Sequence, residues 1–134
     1  MATPTPLREP TFLILTALAR EPMHGYGIVN EVAALSDGRL TLRPGTLYGA
    51  LDRLTDEGLV EPDREEIVDG RLRRYYRLTE GGTATLGAET ERLRRNVEAA
   101  SQRLRDRAAG TAEGSATRPA PAARPTVRLA GGPA

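Results

Sequence analysis

The 134-residue sequence has no cysteine, no lysine and no tryptophan, and it carries a single histidine, His24, and a single phenylalanine, Phe12. Without cysteine there is no disulfide framework, no thiol nucleophile and no thiolate metal site. One histidine cannot build a histidine-based metal cluster, so no metal and no cofactor is expected. At the start of a helix, beside Gly25, His24 reads as a cap or packing residue. The carboxylate pairs Asp56/Glu57 and Glu65/Glu66 are adjacent in sequence, so their side chains diverge. No arrangement of nucleophile, base and orienting group is visible, and the chain is not expected to be an enzyme. Long apolar runs are missing too. The longest, Phe12 to Ala19, falls well short of the roughly 20 residues that a membrane span requires. No basic stretch precedes an apolar one near the N-terminus. The expectation is a soluble, cytoplasmic protein with no membrane partner.

All 19 basic residues are arginine, set against 18 acids. Arginine offers a planar fork of donors suited to phosphate and guanine. Yet lysine is missing even from the low-complexity C-terminal segment, where no folded site demands arginine, so a GC-rich codon habit is the simpler cause. The distribution says more than the total. Residues 1–80 hold 10 arginines and 13 acids (net −3), residues 81–109 hold 6 and 4, and residues 110–134 hold 3 and 1. A net negative domain lacks the broad counterion release behind nonspecific nucleic-acid binding.

The length leaves room for one small domain. Pattern divides it into a globular part at 1–82, a long helix at 83–109, and a tail at 110–134. The tail is too poor in large apolar residues to offset the entropy of ordering, and is expected to be disordered. Phe12, Ile14, Leu15 and Leu18 mark a first helix over Glu9–Arg20, with Pro10 in its first turn. His24 to Leu35 reads as a second helix, with Tyr26, Ile28, Val29 and Val32 on its inner side. Gly25 and Gly27 cost about 1 kcal/mol each in a helix, which implies close backbone packing, with the first helix as the nearest candidate. A third helix starts at Pro44, buries Leu47, Ala50, Leu51 and Leu54, and stops at Gly58. Two strands follow, Leu59–Asp63 and Leu72–Leu78, with Asp69-Gly70 as the hairpin turn. In the long helix Leu86, Thr90, Leu93, Val97, Ala100 and Leu104 repeat at coiled-coil spacing. Leu86, Leu93, Val97 and Leu104 are therefore the candidate dimerisation residues.

The order is three helices, a hairpin and a long helix, so the expected fold is mainly α with a small β-hairpin: a winged helix-turn-helix with a C-terminal dimerisation helix. In that plan the third helix enters the major groove of DNA and the wing follows the backbone. Thr46, Tyr48, Gly49 and Arg53 are the third-helix candidates, with Asp52, Asp56 and Glu57 as acids that repel a polyanion. Tyr48 fits either a DNA contact or an aromatic packed at the helix edge. Arg53 fits either a DNA contact or an ion pair with Asp52 or Glu57. Arg71, Arg73, Arg74 and Arg77 crowd seven positions of the second strand. Alternation places Arg73, Tyr75 and Arg77 on one face, so Arg71, Arg73, Tyr75 and Arg77 are the wing candidates, with Asp63, Glu65 and Glu66 expected to face elsewhere. The competing class is a winged-helix protein-interaction module that uses the acids of the third helix.

Three segments carry a resemblance: His24-Gly25-Tyr26-Gly27-Ile28; Gly45-Thr46-Leu47-Tyr48 through Leu51, Leu54 and Glu57-Gly58-Leu59-Val60; and Arg74-Tyr75-Tyr76-Arg77-Leu78-Thr79-Glu80-Gly81. Together, over residues 10–82, they resemble the PadR-like transcriptional regulators. The resemblance implies a homodimeric winged-helix repressor that binds double-stranded DNA at a palindromic operator, near its own gene or a transporter or stress gene, and that a small-molecule effector can release. It implies that Thr46 and Tyr48 face DNA, that Tyr76 lies at the wing base, and that residues 83 to about 107 form the dimerisation helix. The chain departs from the family in having Gly49 where proline often follows the helix-three tyrosine. It also lacks the tryptophan with which some members stack aromatic drugs.

Overall fold

The computed structural model describes residues 6–114. The elements run α1 (Glu9–Arg20), β1 (Met23–His24), α2 (Gly25–Leu35), α3 (Pro44–Asp56), β2 (Val60–Val68), β3 (Arg71–Leu78) and α4 (Glu80–Gly114). This is a winged helix-turn-helix with a three-stranded antiparallel sheet, ordered β1-β3-β2, and a C-terminal helix. Two compact units divide the chain, Met1–Leu93 and Arg94–Ala134. No helix among the described residues is long and apolar enough to cross a membrane.

The core of the first unit is the meeting of three helical stripes with the base of the sheet. Ile14, Leu15 and Leu18 from α1, Ile28 and Val32 from α2, and Leu47, Leu51 and Leu54 from α3 are all buried, with Val60 and Tyr76 closing the sheet side. Fully burying one such aliphatic side chain stabilises by about 1.5–3 kcal/mol, so the spacing of these residues fixes which way each helix faces. Proline stands in the first turn of both α1 and α3, where its missing N–H costs nothing. At the end of α3, Gly58 has φ 78° and the Leu59 N–H donates back to the Leu54 carbonyl at 2.9 Å, which closes the helix and turns the chain into β2.

Several elements differ from the sequence expectation. The second helix begins at Gly25, because Met23 and His24 form a short strand opposite Tyr76 and Tyr75. Tyr26 points away from the core and is 71% exposed. Gly25 packs beneath Tyr48 of α3, and Gly27 against the His24 ring, rather than against α1. The first hairpin strand continues to Val68, because β3 offers ladder partners to Glu65 and Glu66 as well as to Ile67 and Val68; the register shifts by one residue between Pro62 and Glu65. Asp69 (φ 53°) and Gly70 (φ 77°) form the turn, and two successive positive φ angles match the right-handed twist of a tight hairpin.

The last helix starts at Glu80, so that Gly81 and Gly82 lie in its first turn. Thr79 caps it. Its hydroxyl accepts from the Gly82 N–H at 2.9 Å and donates to the Gly58 carbonyl at 2.6 Å. Further along, the buried Glu89 carboxylate accepts from the Leu7 N–H at 3.1 Å and from Arg92 at 2.6 Å, tying the N-terminal segment to α4. Arg92 holds the Glu89 carboxyl below its ordinary pKa. Leu86 packs against this chain's own core. Val97 and Leu104, by contrast, are 63% and 65% exposed. The helix continues through Gly110 to Gly114, which makes the start of the expected tail helical; residues 115–134 lie outside the described residues.

Candidate nucleic-acid interface

Helical geometry separates the four third-helix candidates. Leu47, Ala50, Leu51 and Leu54 occupy the buried side of α3. Gly45 and Gly49 lie on the outer side, where an added Cβ would meet nothing within 4 Å. Thr46 and Arg53, seven residues apart, share one flank, and Tyr48 occupies the other. Arg53 lies in a recess with Arg8, Thr11, Glu57 and Thr85 and reaches back only weakly to the Gly49 carbonyl, at 3.5 Å. Tyr48 instead joins a cleft on the wing side. Arg43, which the sequence reading passed over, precedes α3 and makes no ion pair with a described residue. Its place before Pro44, on the N-terminal side of α3, could have flagged it.

The cleft holds about 510 Å³ between the start of α2, the Tyr48 side of α3 and the wing, and is lined by His24, Gly25, Tyr26, Tyr48, Val68, Asp69 and Arg71 to Arg74. It brings together Tyr48, Arg71 and Arg73 of the sequence candidates, but not Thr46, Gly49, Arg53, Tyr75 or Arg77.

The wing is not the one-signed surface that its second strand suggests. From Val60 to Leu78 the hairpin carries five acids, Glu61, Asp63, Glu65, Glu66 and Asp69, and five arginines, Arg64, Arg71, Arg73, Arg74 and Arg77. Asp63, Glu65 and Glu66, expected to face elsewhere, lie across the ladder from the basic strand; Asp63 and Glu65 pair with it, and Glu66 pairs with Arg64 of its own strand. Arg77 donates to Glu61 at 2.7 Å and to Asp63 at 3.1 Å, and Arg74 donates to Glu65 at 3.2 Å. Arg64 donates to Glu66 at 3.1 Å. Arg77 and Arg74 are accordingly held above their ordinary pKa, first by these hydrogen bonds. Counting outward from the Asp69-Gly70 turn places Glu65 opposite Arg74, so that pair was readable; Glu66 stands opposite Arg73 but pairs with Arg64. Arg71 and Arg73 are the wing arginines that make no ion pair with a described residue.

Tyr75 is occupied on three sides. The Arg64 guanidinium stacks 3.8 Å over its ring, His24 meets it edge-on with ring centroids 5.3 Å apart, and its hydroxyl donates to Glu66 at 3.0 Å. It braces the wing on β1 and is half-buried there. The Arg64 hydrogen bond, then the Tyr75 hydroxyl, hold the Glu66 carboxyl below its ordinary value. Burial, then the Arg73 guanidinium, push the His24 imidazole down, against a smaller opposing pull from Glu66. A folded-state histidine below the unfolded value of about 6.5 means that the unfolded chain takes up the proton first. Stability should therefore fall as pH drops from about 7 through about 6.5. Urea unfolding at steps from pH 7.5 to 5.5 is expected to show this decline in the wild type and a flatter profile in His24→Gln.

The profile of the transcriptional regulator PadR-like family matches residues 14–88, more than half of the sequence. The chain belongs to this family of transcriptional regulators. It is 33% identical over 104 residues to the transcriptional regulator YqjI of Escherichia coli, covering 78% of this chain and 46% of that protein, so it spans about half of that relative's length. It is 39% identical over 80 residues to the transcriptional regulator Rv3488 of Mycobacterium tuberculosis, covering 60% of this chain and 71% of the relative. The structure of Bacillus subtilis PadR in complex with operator DNA is similar with a TM-score of 0.54 and 26% identity, over 60% of this chain and 46% of that one. The PadR-like match covers all of α2, α3 and the wing, the elements that build the cleft.

Proposed function

We propose that this PadR-like chain is a sequence-specific regulator that binds double-stranded DNA as a homodimer, represses a neighbouring transporter or stress gene, and acts in the cytoplasm. The observation that carries the reading is that Arg71 and Arg73, the wing arginines not paired with wing acids, line the same cleft as Tyr48 of α3. The likeness to a PadR solved with operator DNA supports it. In this scheme the N-terminal half of α3, with Arg43, Thr46 and the bare backbone at Gly45 and Gly49, enters the major groove, while the wing tip takes the phosphates. Asp52 and Asp56 share a separate recess with Arg74, which offsets part of the acidity that a protein-interaction reading relies on. Release by a small-molecule effector requires that it bind two separations of the recognition helices unequally. Selection of fragments from the source genome by the purified protein tests the reading. A few enriched loci with a shared inverted repeat support it, and recovery in proportion to fragment abundance contradicts it.

Dimerisation is assigned to α4, with the exposed Val97 and Leu104 on its seam; Leu93, partly buried, continues the same spacing, and Leu86 serves the chain's own core. Val97→Glu/Leu104→Glu is expected to sediment as a monomer while the thermal midpoint of the first unit stays within a few degrees of wild type. A variant that remains dimeric would remove the seam from the scheme.

A further inference from the structure

Gly25 occupies a position where glycine has no backbone reason to be. Its φ is not positive, it begins the regular helix α2, and alanine is about 1 kcal/mol more favourable in a helix interior. What excludes a side chain is Tyr48. A Cβ on Gly25 would collide with the Tyr48 hydroxyl and stand 2.8 Å from Cζ and 3.2 Å from Cε1 of the same ring. The tyrosine leaves α3 beside Leu47 and lays the tip of its ring on the bare backbone of α2, in the cleft that Arg71 and Arg73 also line.

We infer that Gly25 is a positioning residue for DNA recognition, acting through Tyr48: the missing side chain is the seat that points the phenol hydroxyl into the cleft between α2 and the wing. The inference rests on the DNA-binding function proposed above. With its ring seated, Tyr48 is directed toward the backbone strand that runs past Arg71 and Arg73, and it contributes a sugar-phosphate contact rather than a base contact. A methyl group at residue 25 meets only the far end of a side chain, which can swing aside. Gly25→Ala therefore moves the hydroxyl without breaking the fold.

The experiment compares Gly25→Ala, Tyr48→Ala and the double variant in the full chain, using the duplex recovered by genomic selection. Gly25→Ala is expected to keep its thermal midpoint within a few degrees and to bind about tenfold more weakly, the loss of a hydrogen bond at the upper end of the usual range. The double variant should bind no more weakly than Tyr48→Ala alone, because the seat has no role once the ring is gone. Unchanged affinity in Gly25→Ala, additive losses, or an unfolded Gly25→Ala would each overturn the inference. A readout independent of DNA uses ring-labelled tyrosine: in the NMR spectrum Gly25→Ala should shift the Tyr48 signal and leave that of the buried Tyr76 in place. An unmoved Tyr48 signal overturns the inference even in a protein that selects no duplex, whereas failure of the wild type to select a duplex overturns the proposed function, and with it the DNA role of the seat, even where the Tyr48 signal moves.

Discussion

Gly82→Ala is expected to lower the thermal midpoint of the first unit by roughly 15 °C, corresponding to about 3 kcal/mol for a domain of this size. A Cβ at this position would run into the Leu59 carbonyl oxygen and stand 2.8 Å from Cδ1 of Leu78. The Leu78 methyl can turn aside, but the backbone carbonyl cannot. The Leu59 carbonyl is held in place by the Thr79 N–H, which donates to it at 3.1 Å, and Gly82's own N–H donates to the Thr79 hydroxyl. Moving α4 outward to admit the methyl group would break this cap and lift Leu86 from the core. The same substitution at Gly87, on the same helix, meets nothing within 4 Å and should be neutral or slightly stabilising. Differential scanning calorimetry of the two variants side by side separates close approach from helix propensity. Equal midpoints for Gly82→Ala and Gly87→Ala would show that the start of α4 is not packed as described.

The largest expected effect on binding comes from Arg71→Ala/Arg73→Ala. Loss of two unpaired cations per chain, four per dimer, should weaken binding to the selected duplex on the order of a hundredfold near 0.15 M salt. The log–log dependence of affinity on salt should become shallower by about four. Arg77→Ala is the informative control. Its guanidinium already serves Glu61 and Asp63, and exposed pairs of this kind contribute about 0–1 kcal/mol. Removing it should change affinity by no more than about threefold, with little change in salt slope. Fluorescence anisotropy across a salt series measures all three proteins. An Arg77→Ala loss as large as that of the double variant would mean that the cross-strand pairs open on DNA and that the whole basic strand is used.

The helical core was legible because its information is local. Leu47, Leu51 and Leu54 declare a helix face by spacing alone, Asp69-Gly70 declares the turn, and Gly58 declares the end of α3. What was not legible depends on pairing between distant segments. Met23 and His24 are too few to show alternation, and they are a strand only because β3 offers them a free edge. Glu65-Glu66 has no apolar pattern, yet it is strand because the ladder to Arg74 and Arg73 carries it.

The candidate site followed the same division. The arginine-rich strand was visible, but its neutralisation by Glu61 and Asp63 depends on the one-residue shift between Pro62 and Glu65, which no local pattern reveals. Tyr26 reads as core by periodicity, but it faces the cleft because the buried stripe of α2 is Gly25, Ile28 and Val32, about 100° around the helix from residue 26. Gly25 was recognisable as costly in a helix, whereas Gly82 reads as a residue ahead of the long helix and lies in its first turn. Only the fold supplies what presses on each of them, the Tyr48 ring in one case and the Leu59 carbonyl in the other.

The central claim is that two copies of this chain read DNA through paired third helices braced by their wing tips. Hydroxyl-radical footprinting of the selected duplex, with the protein-to-duplex stoichiometry measured on the same sample, tests it most directly. Two symmetric protected patches about one helical turn apart, with two chains bound per duplex and flanking protection lost in Arg71→Ala/Arg73→Ala, is the predicted result. A single unsymmetric patch, one chain per duplex, or protection unchanged in that variant would contradict it.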